Sequence, residues 1–118
     1  MNNLTVLGRI TKDAETRTVK VKGIDTLVTD FTLAVNDGYG ETRTTDYFRV
    51  SVWRERGAKM AGSLVKGRPI IVKGAVTARG WKDNEGNARA QLEIRNPQIE
   101  FFDKKPGEED DGVPFVEE

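Results

Sequence analysis

A chain of 118 residues, 36% hydrophobic and 32% charged, supports one modest core under a wet surface, on the scale of a single domain. It holds no cysteine and no histidine, which excludes disulfides, thiolate metal sites, the commonest general base and the commonest zinc ligand. The net charge of zero hides an asymmetry: residues 1–102 carry 17 Lys and Arg against 12 Asp and Glu, whereas residues 103–118 carry 2 against 7. A basic body followed by an acidic end suits polyanion binding with a separate acidic contact element. No stretch approaches the length of a membrane span and no apolar run follows a basic start. The expectation is a soluble protein with no export signal and no membrane contact.

Met1 to Ile10 opens as a strand, with Leu4 and Val6 alternating against Asn3 and Thr5, and Gly8 suited to a bulge or bend. Thr11 to Ala14 is a polar corner, Glu15 to Val21 a second strand, and Lys22 to Asp25 a turn. The third run, Thr26 to Asn36, places Leu27, Phe31, Leu33 and Val35 on one parity and Asp30, Thr32 and Ala34 on the other. Asp37 to Glu41 is a glycine-rich loop with Tyr39 at its centre.

The next strand, Thr44 to Arg54, is the informative one. Phe48, Val50 and Val52 fall on one face as ordinary core, while Tyr47, Arg49, Ser51 and Trp53 fall on the other. Sheets usually show small polar or charged side chains to water. Aromatics alternating with a guanidinium suit stacked bases and phosphates instead; packing under a loop or a neighbouring subunit is the alternative for the same residues.

Beyond Trp53 the period changes. Met60, Ala61, Leu64 and Val65 predict one short amphipathic helix over residues 55–66, closed by Gly67. Pro69 to Trp81 is a long strand bent at Gly74, Lys82 to Asn87 a hairpin loop, and Ala88 to Phe101 or Phe102 the return strand. This order predicts an all-β fold: a five-stranded Greek-key barrel of the oligonucleotide/oligosaccharide-binding (OB) type, with one helix between the third and fourth strands. The barrel domain is assigned to residues 1–102, and residues 103–118 to a short flexible, disordered acidic tail rich in Pro, Gly and acid.

These segments, in this order and spacing, resemble the bacterial-type single-stranded DNA-binding proteins. Asn2 to Ile10 is similar to the family's opening strand, and Asp13-Ala14-Glu15-Thr16-Arg17 to its Asp-Pro-Glu-x-Arg corner, with Ala14 in place of Pro. Phe31 to Asn36, Thr45 to Trp53, Lys66 to Gly74, Thr77 to Trp81 and Arg95 to Phe102 are similar to its later strands. The resemblance implies base stacking by Tyr39, Tyr47, Trp53 and Trp81, and phosphate contacts by Arg17, Arg49, Arg54 and Arg79. Tyr39 and Tyr47 stand where Trp is frequent, and Glu55 and Gly80 where some members carry Lys. Lys12, Lys20 and Lys22 read as solvated surface.

The resemblance further implies a homotetramer around which the strand wraps, and a cytoplasmic, nucleoid-associated role in DNA replication, recombination and repair. The tail segment with Asp110, Asp111, Pro114 and Phe115 is similar to the acidic tip that recruits replication and repair proteins, although Val116-Glu117-Glu118 follow the Phe here. An enzyme is not expected. The acids Asp25, Asp30 and Asp37 are scattered rather than clustered for two metals, and Gly38-x-Gly40 lacks the Lys-Ser/Thr ending of a phosphate loop. No cofactor is implied. An oligomeric OB-fold adaptor for other replication proteins is the competing reading, since fold does not fix function; it expects the aromatics to be buried at contacts.

Overall fold

A computed structural model describes residues 1–103. Six strands form one sheet: β1 (Leu4–Ile10), β2 (Glu15–Val21), β3 (Ile24–Asp37), β4 (Thr44–Trp53), β5 (Pro69–Lys82) and β6 (Ala88–Phe101). The strand order is β1-β5-β6-β4-β3-β2, and β1 also pairs with β3, so five of the strands close a ring. β1 meets β3 at Arg9 and Ile10, and β2 continues along β3 from Glu15. The two are therefore successive halves of one bent first strand. Counted that way, the barrel has the five strands predicted from the sequence, with the helix between the third and fourth.

Alternation drives the closure. Phe31 and Leu33 from β3, Phe48, Val50 and Val52 from β4, Ile70 and Val72 from β5, and Ile94 from β6 turn inward with Ile10 and Leu64 to form the core. A slip of one residue in any of these strands would put its apolar set in water. The long strand β5 bends where the register with β6 shifts between Lys73 and Ala75. Gly74 sits at that bulge because a Cβ there would stand 2.7 Å from both the Arg95 carbonyl oxygen and Ile94 Cγ2.

Three local expectations change. The turn of the first hairpin is only Lys22 and Gly23, both at positive φ (52° and 79°), so Ile24 already belongs to β3. That is the two-residue geometry matching strand twist. Leu27 shares its parity with the core residues but is 37% exposed, because the β2–β3 hairpin runs past the barrel there. Thr29 is the first fully buried residue of that parity, its hydroxyl 2.8 Å from that of Thr16.

The helix is also shorter than its periodicity suggests. α1 spans Arg54–Met60, continues as a single 3-10 turn over Ala61–Ser63, and stops before Gly67. Tertiary donors take the last carbonyls: Arg68 Nη1 donates to Ser63 O (2.9 Å) and the Ala14 N–H to Leu64 O (2.9 Å). Gly67, at φ +85°, shapes the following turn and donates its N–H to the Ile10 carbonyl (2.7 Å). Leu64, read correctly as apolar-face, reaches the core from outside the helix.

Two contacts seat these pieces. Arg68, 6% exposed, lies 4.4 Å over the Phe101 ring and donates through Nε to Asp103 Oδ1 (2.9 Å), so a buried cation is fully engaged where β6 ends. Gly57 lets α1 lie against β4 and β3: a Cβ there would collide with the Val52 carbonyl oxygen and come within 2.9 Å of Thr29 Cβ. Both of those neighbours are fixed in the sheet. Gly57→Ala is therefore expected to lower unfolding stability by about 1–3 kcal/mol, measured by urea denaturation, whereas Gly62→Ala, at a position with open space, should lack that loss.

At the far end of the β5–β6 hairpin, Asp83 organises the loop. Its Oδ1 accepts from the Asn87 and Glu85 N–H groups (2.9 and 3.0 Å), and its Oδ2 from Arg89 Nε (2.9 Å). The Asn87 N–H first, then the Arg89 guanidinium, hold this carboxyl below its ordinary value of 3.8. A carboxyl depressed on folding adds stability above its unfolded value and loses it as pH falls through the folded one. The loop should therefore stay closed as pH drops to 3.8 and open below that. The Asn87 amide resonance in an acid titration reports the transition, and Asp83→Asn should abolish it.

Candidate nucleic-acid interface

Because Phe48, Val50 and Val52 are buried, the other parity of β4 is driven outward. Tyr47 and Trp53 are 59% and 47% exposed, with Arg49 and Ser51 half-buried between them. The bent β5 carries Arg79 and Trp81, the latter 45% exposed, over the barrel on the same side. Between the two strands runs β6, whose Glu93 is in register with Arg49 of β4 on one flank and with Thr77 of β5 on the other.

The result is an open groove of about 560 Å³ lined by Arg17, Arg49, Ser51, Trp53, Arg79, Trp81, Gln91 and Glu93. Five of the eight residues anticipated from the sequence meet in it: Arg17, Arg49, Trp53, Arg79 and Trp81. One end is closed by a row in register, Arg17–Val28–Trp53. Val28 is 1% exposed yet stands apart from the barrel's core cluster, so the indole and the guanidinium flank a buried aliphatic side chain.

The other three residues stand elsewhere. Tyr47 shares the outward face of β4 but lies farther along it, opposite Ala34. Tyr39 is 91% exposed in the β3–β4 loop, where Gly38 and Gly40 flank it at positive φ. Arg54 turns away. Its φ of +67° marks the sharp exit from β4 into α1, and its side chain lines a separate depression with Val21, Lys22, Ile24 and Leu27 beside the β2–β3 hairpin.

The electrostatics of the groove hold what the sequence reading missed. Its cations are not free. Asp30, 8% exposed on the outward parity of β3, accepts from Arg17 Nε (2.8 Å) and pairs with Arg49 Nη2 (3.2 Å). Glu93 pairs with Arg79 Nη2 at 3.2 Å. Two recessed carboxylates thus sit behind three guanidiniums. The parity assigned to Asp30 was the available signal: an acid on the outward face of β3 must lie beside the outward cations of β4.

A second depression, of about 390 Å³, adjoins the first and shares Arg17 and Arg49 with it. Lys12 lines it together with Asp13, Glu15 and Asp30, so its cations are balanced by acids. Lys20 is spent on an exposed pair with Asp25 (2.8 Å). Among the described residues no three His, Cys, Asp or Glu side chains gather where they could hold a metal ion, and no helix is long and apolar enough to cross a membrane.

Comparison with known proteins bears on the family and the fold. The single-strand binding protein family matches residues 1–102. The single-stranded DNA-binding protein of Caldanaerobacter subterraneus subsp. tengcongensis is 36% identical over 112 residues, which cover 91% of this chain and 71% of that protein. That of Thermotoga maritima is 31% identical over 112 residues, 91% of this chain and 77% of the relative. Among solved structures, the Plasmodium falciparum SSB in complex with ssDNA superposes with a TM-score of 0.69 at 22% identity, over 87% of this chain and 96% of that one. A small single-stranded DNA-binding protein from Streptomyces coelicolor gives 0.66 at 24%, over 86% and 95%. At those identities the two structures bear on the fold, which is the OB barrel. A closed barrel with an aromatic and cationic groove, matched along its whole length at the level of sequence, places this chain in the single-strand binding protein family.

Proposed function

We propose that this chain binds single-stranded DNA with little sequence preference, stacking bases on Trp53 and Trp81 and meeting phosphates with Arg17, Arg49 and Arg79. The observation that carries this reading is the meeting of two half-exposed indoles and three guanidiniums in one open groove. Stacking on an aromatic is worth about 1–3 kcal/mol per base and accepts any base, while the arginines add a salt-sensitive term through counterion release. Stacking also selects against duplexes, whose bases are already paired and stacked. Tyr47 and the loop residue Tyr39 extend the stacking surface along and beyond β4, and Arg54 adds a cation at the neighbouring depression.

The protein acts without catalysis or cofactor, in replication, recombination and repair, in the cytoplasm with the nucleoid. Residues 1–102 form the binding domain and residues 103–118 a contact element. Its Asp110, Asp111, Pro114 and Phe115 are assigned to recruiting replication and repair proteins; they lie outside the described residues. The working unit is a homotetramer. In support, the edge of β1 from Leu4 to Gly8 that faces away from β5 has no ladder partner among the described residues, and Leu7 on it is 56% exposed. An unpaired edge with an exposed apolar side chain is a template for pairing with a second copy. The adaptor reading expects Trp53 and Trp81 to be covered by a partner protein and predicts no quenching by oligo(dT).

Trp53 and Trp81 are the only tryptophans, so titration with oligo(dT) should quench most of the intrinsic fluorescence, and a matched duplex should not. Trp81→Ala should weaken binding about 5- to 150-fold, the equivalent of one stacked base. Arg49→Ala should lower the slope of log K against log salt by about one. A folded wild-type chain that shows no quenching at low salt overturns the proposal.

A further inference from the structure

A carboxylate at the floor of a polyanion site is out of place on charge alone, since it repels the ligand. Asp30 nevertheless lies there, 8% exposed, with its oxygens fully engaged from both flanking strands. Oδ2 meets Arg17 Nε of β2 at 2.8 Å and Arg49 Nη2 of β4 at 3.2 Å, and Oδ1 accepts from Ser51 Oγ of β4 at 2.6 Å. Arg17 and Arg49 are also the two basic side chains common to the tryptophan groove and to the adjoining depression, which Lys12, Asp13 and Glu15 line as well. A strand passing from one depression to the other has to cross this pair.

Both guanidiniums remain available to solvent, with side-chain exposures of 55% for Arg17 and 39% for Arg49. One bond through Nε fixes the plane of Arg17 and leaves its terminal nitrogens to donate elsewhere, the forked arrangement that phosphate accepts. Long side chains otherwise lose rotamer freedom on binding; here the anchor has removed that freedom beforehand. We infer that Asp30 is a positioning residue for DNA binding, holding Arg17 and Arg49 as one preorganised phosphate clamp at the junction of the two depressions. This rests on the single-stranded DNA reading above and adds to it a role for an acid that touches no DNA.

The test is oligo(dT) titration of full-length variants at fixed salt, read by tryptophan quenching. If charge alone matters, Asp30→Asn removes a repulsive anion and tightens binding. The clamp requires the reverse, a weakening of roughly fivefold or more, with Arg49→Ala costing less in the Asp30→Asn background than in the wild type. Arg17→Lys keeps the charge but loses the Nε anchor, and should weaken binding nearly as much as Arg17→Ala. That side chain is more than half exposed, so this arm stays decisive even where Asp30→Asn fails to fold. Wild-type or tighter binding by Asp30→Asn overturns the inference. So does weakening by Asp30→Asn with none by Arg17→Lys, which assigns the loss to packing. Absent quenching in the wild type strikes the DNA reading itself; normal wild-type quenching with both variants unaffected strikes the role of Asp30 alone.

Discussion

Burial of Phe48, Val50 and Val52 inside the barrel is the constraint on which the groove depends. Each side chain contributes about 1.5–3 kcal/mol by leaving water, and together they set the register of β4 against β3 on one flank and β6 on the other. Since side chains alternate along a strand, the same burial sends Tyr47, Arg49, Ser51 and Trp53 to the outside. The groove is the obverse of the core. No rearrangement of β4 could hide its aromatics without exposing its aliphatic set.

The remaining elements bring further side chains to that face. The bulge at Gly74 bends β5 so that its outer half, with Arg79 and Trp81, lies over the side of the barrel that β4 presents. β6 lies between, and its parallel contact with β4 is short: Phe48, Arg49 and Val50 against Leu92, Glu93 and Ile94. That contact closes the ring and places Glu93 among the groove's cations. The β2–β3 hairpin supplies Arg17 from the other flank, while Gly57 lets α1 lie against the Val52 carbonyl of β4 and Thr29 of β3.

Charge in the groove is arranged rather than accumulated. Three guanidiniums stand in front of two carboxylates, so the local surplus is one positive charge, less than the basic residues alone suggest. In the proposed binding mode, stacking therefore supplies much of the affinity and the arginines orient the strand as much as they attract it. This fits a surface that must hold any sequence and still release it.

Much of this was legible in the sequence. Period-2 alternation identified the strands, and on β4 it separated the buried Phe48, Val50 and Val52 from the outward Tyr47, Arg49, Ser51 and Trp53. Gly74 marked the bend of β5, and Leu64 was recognised as apolar-face although it lies beyond the helix. Other features depend on partners remote in the chain. α1 stops at Met60, and past the 3-10 turn the Leu64 carbonyl takes its hydrogen bond from the Ala14 N–H, fifty residues earlier. Arg54 was grouped with the phosphate contacts through the family resemblance; its backbone is left-handed and its side chain lines another depression.

The sequence by itself determined which side chains face water on each strand, because alternation is a local property of extended backbone. It also determined the chemistry of that surface, through two tryptophans, two tyrosines and the arginines that alternate with them. Only the tertiary structure decided which of these residues share one groove, because closure of the barrel sets the register between strands that lie far apart in sequence. It alone paired Asp30 with Arg17 and Arg49, thirteen and nineteen positions away, and Glu93 with Arg79 across the long hairpin. Ion pairs between strands follow register and curvature, and neither is written in the local pattern of any one strand.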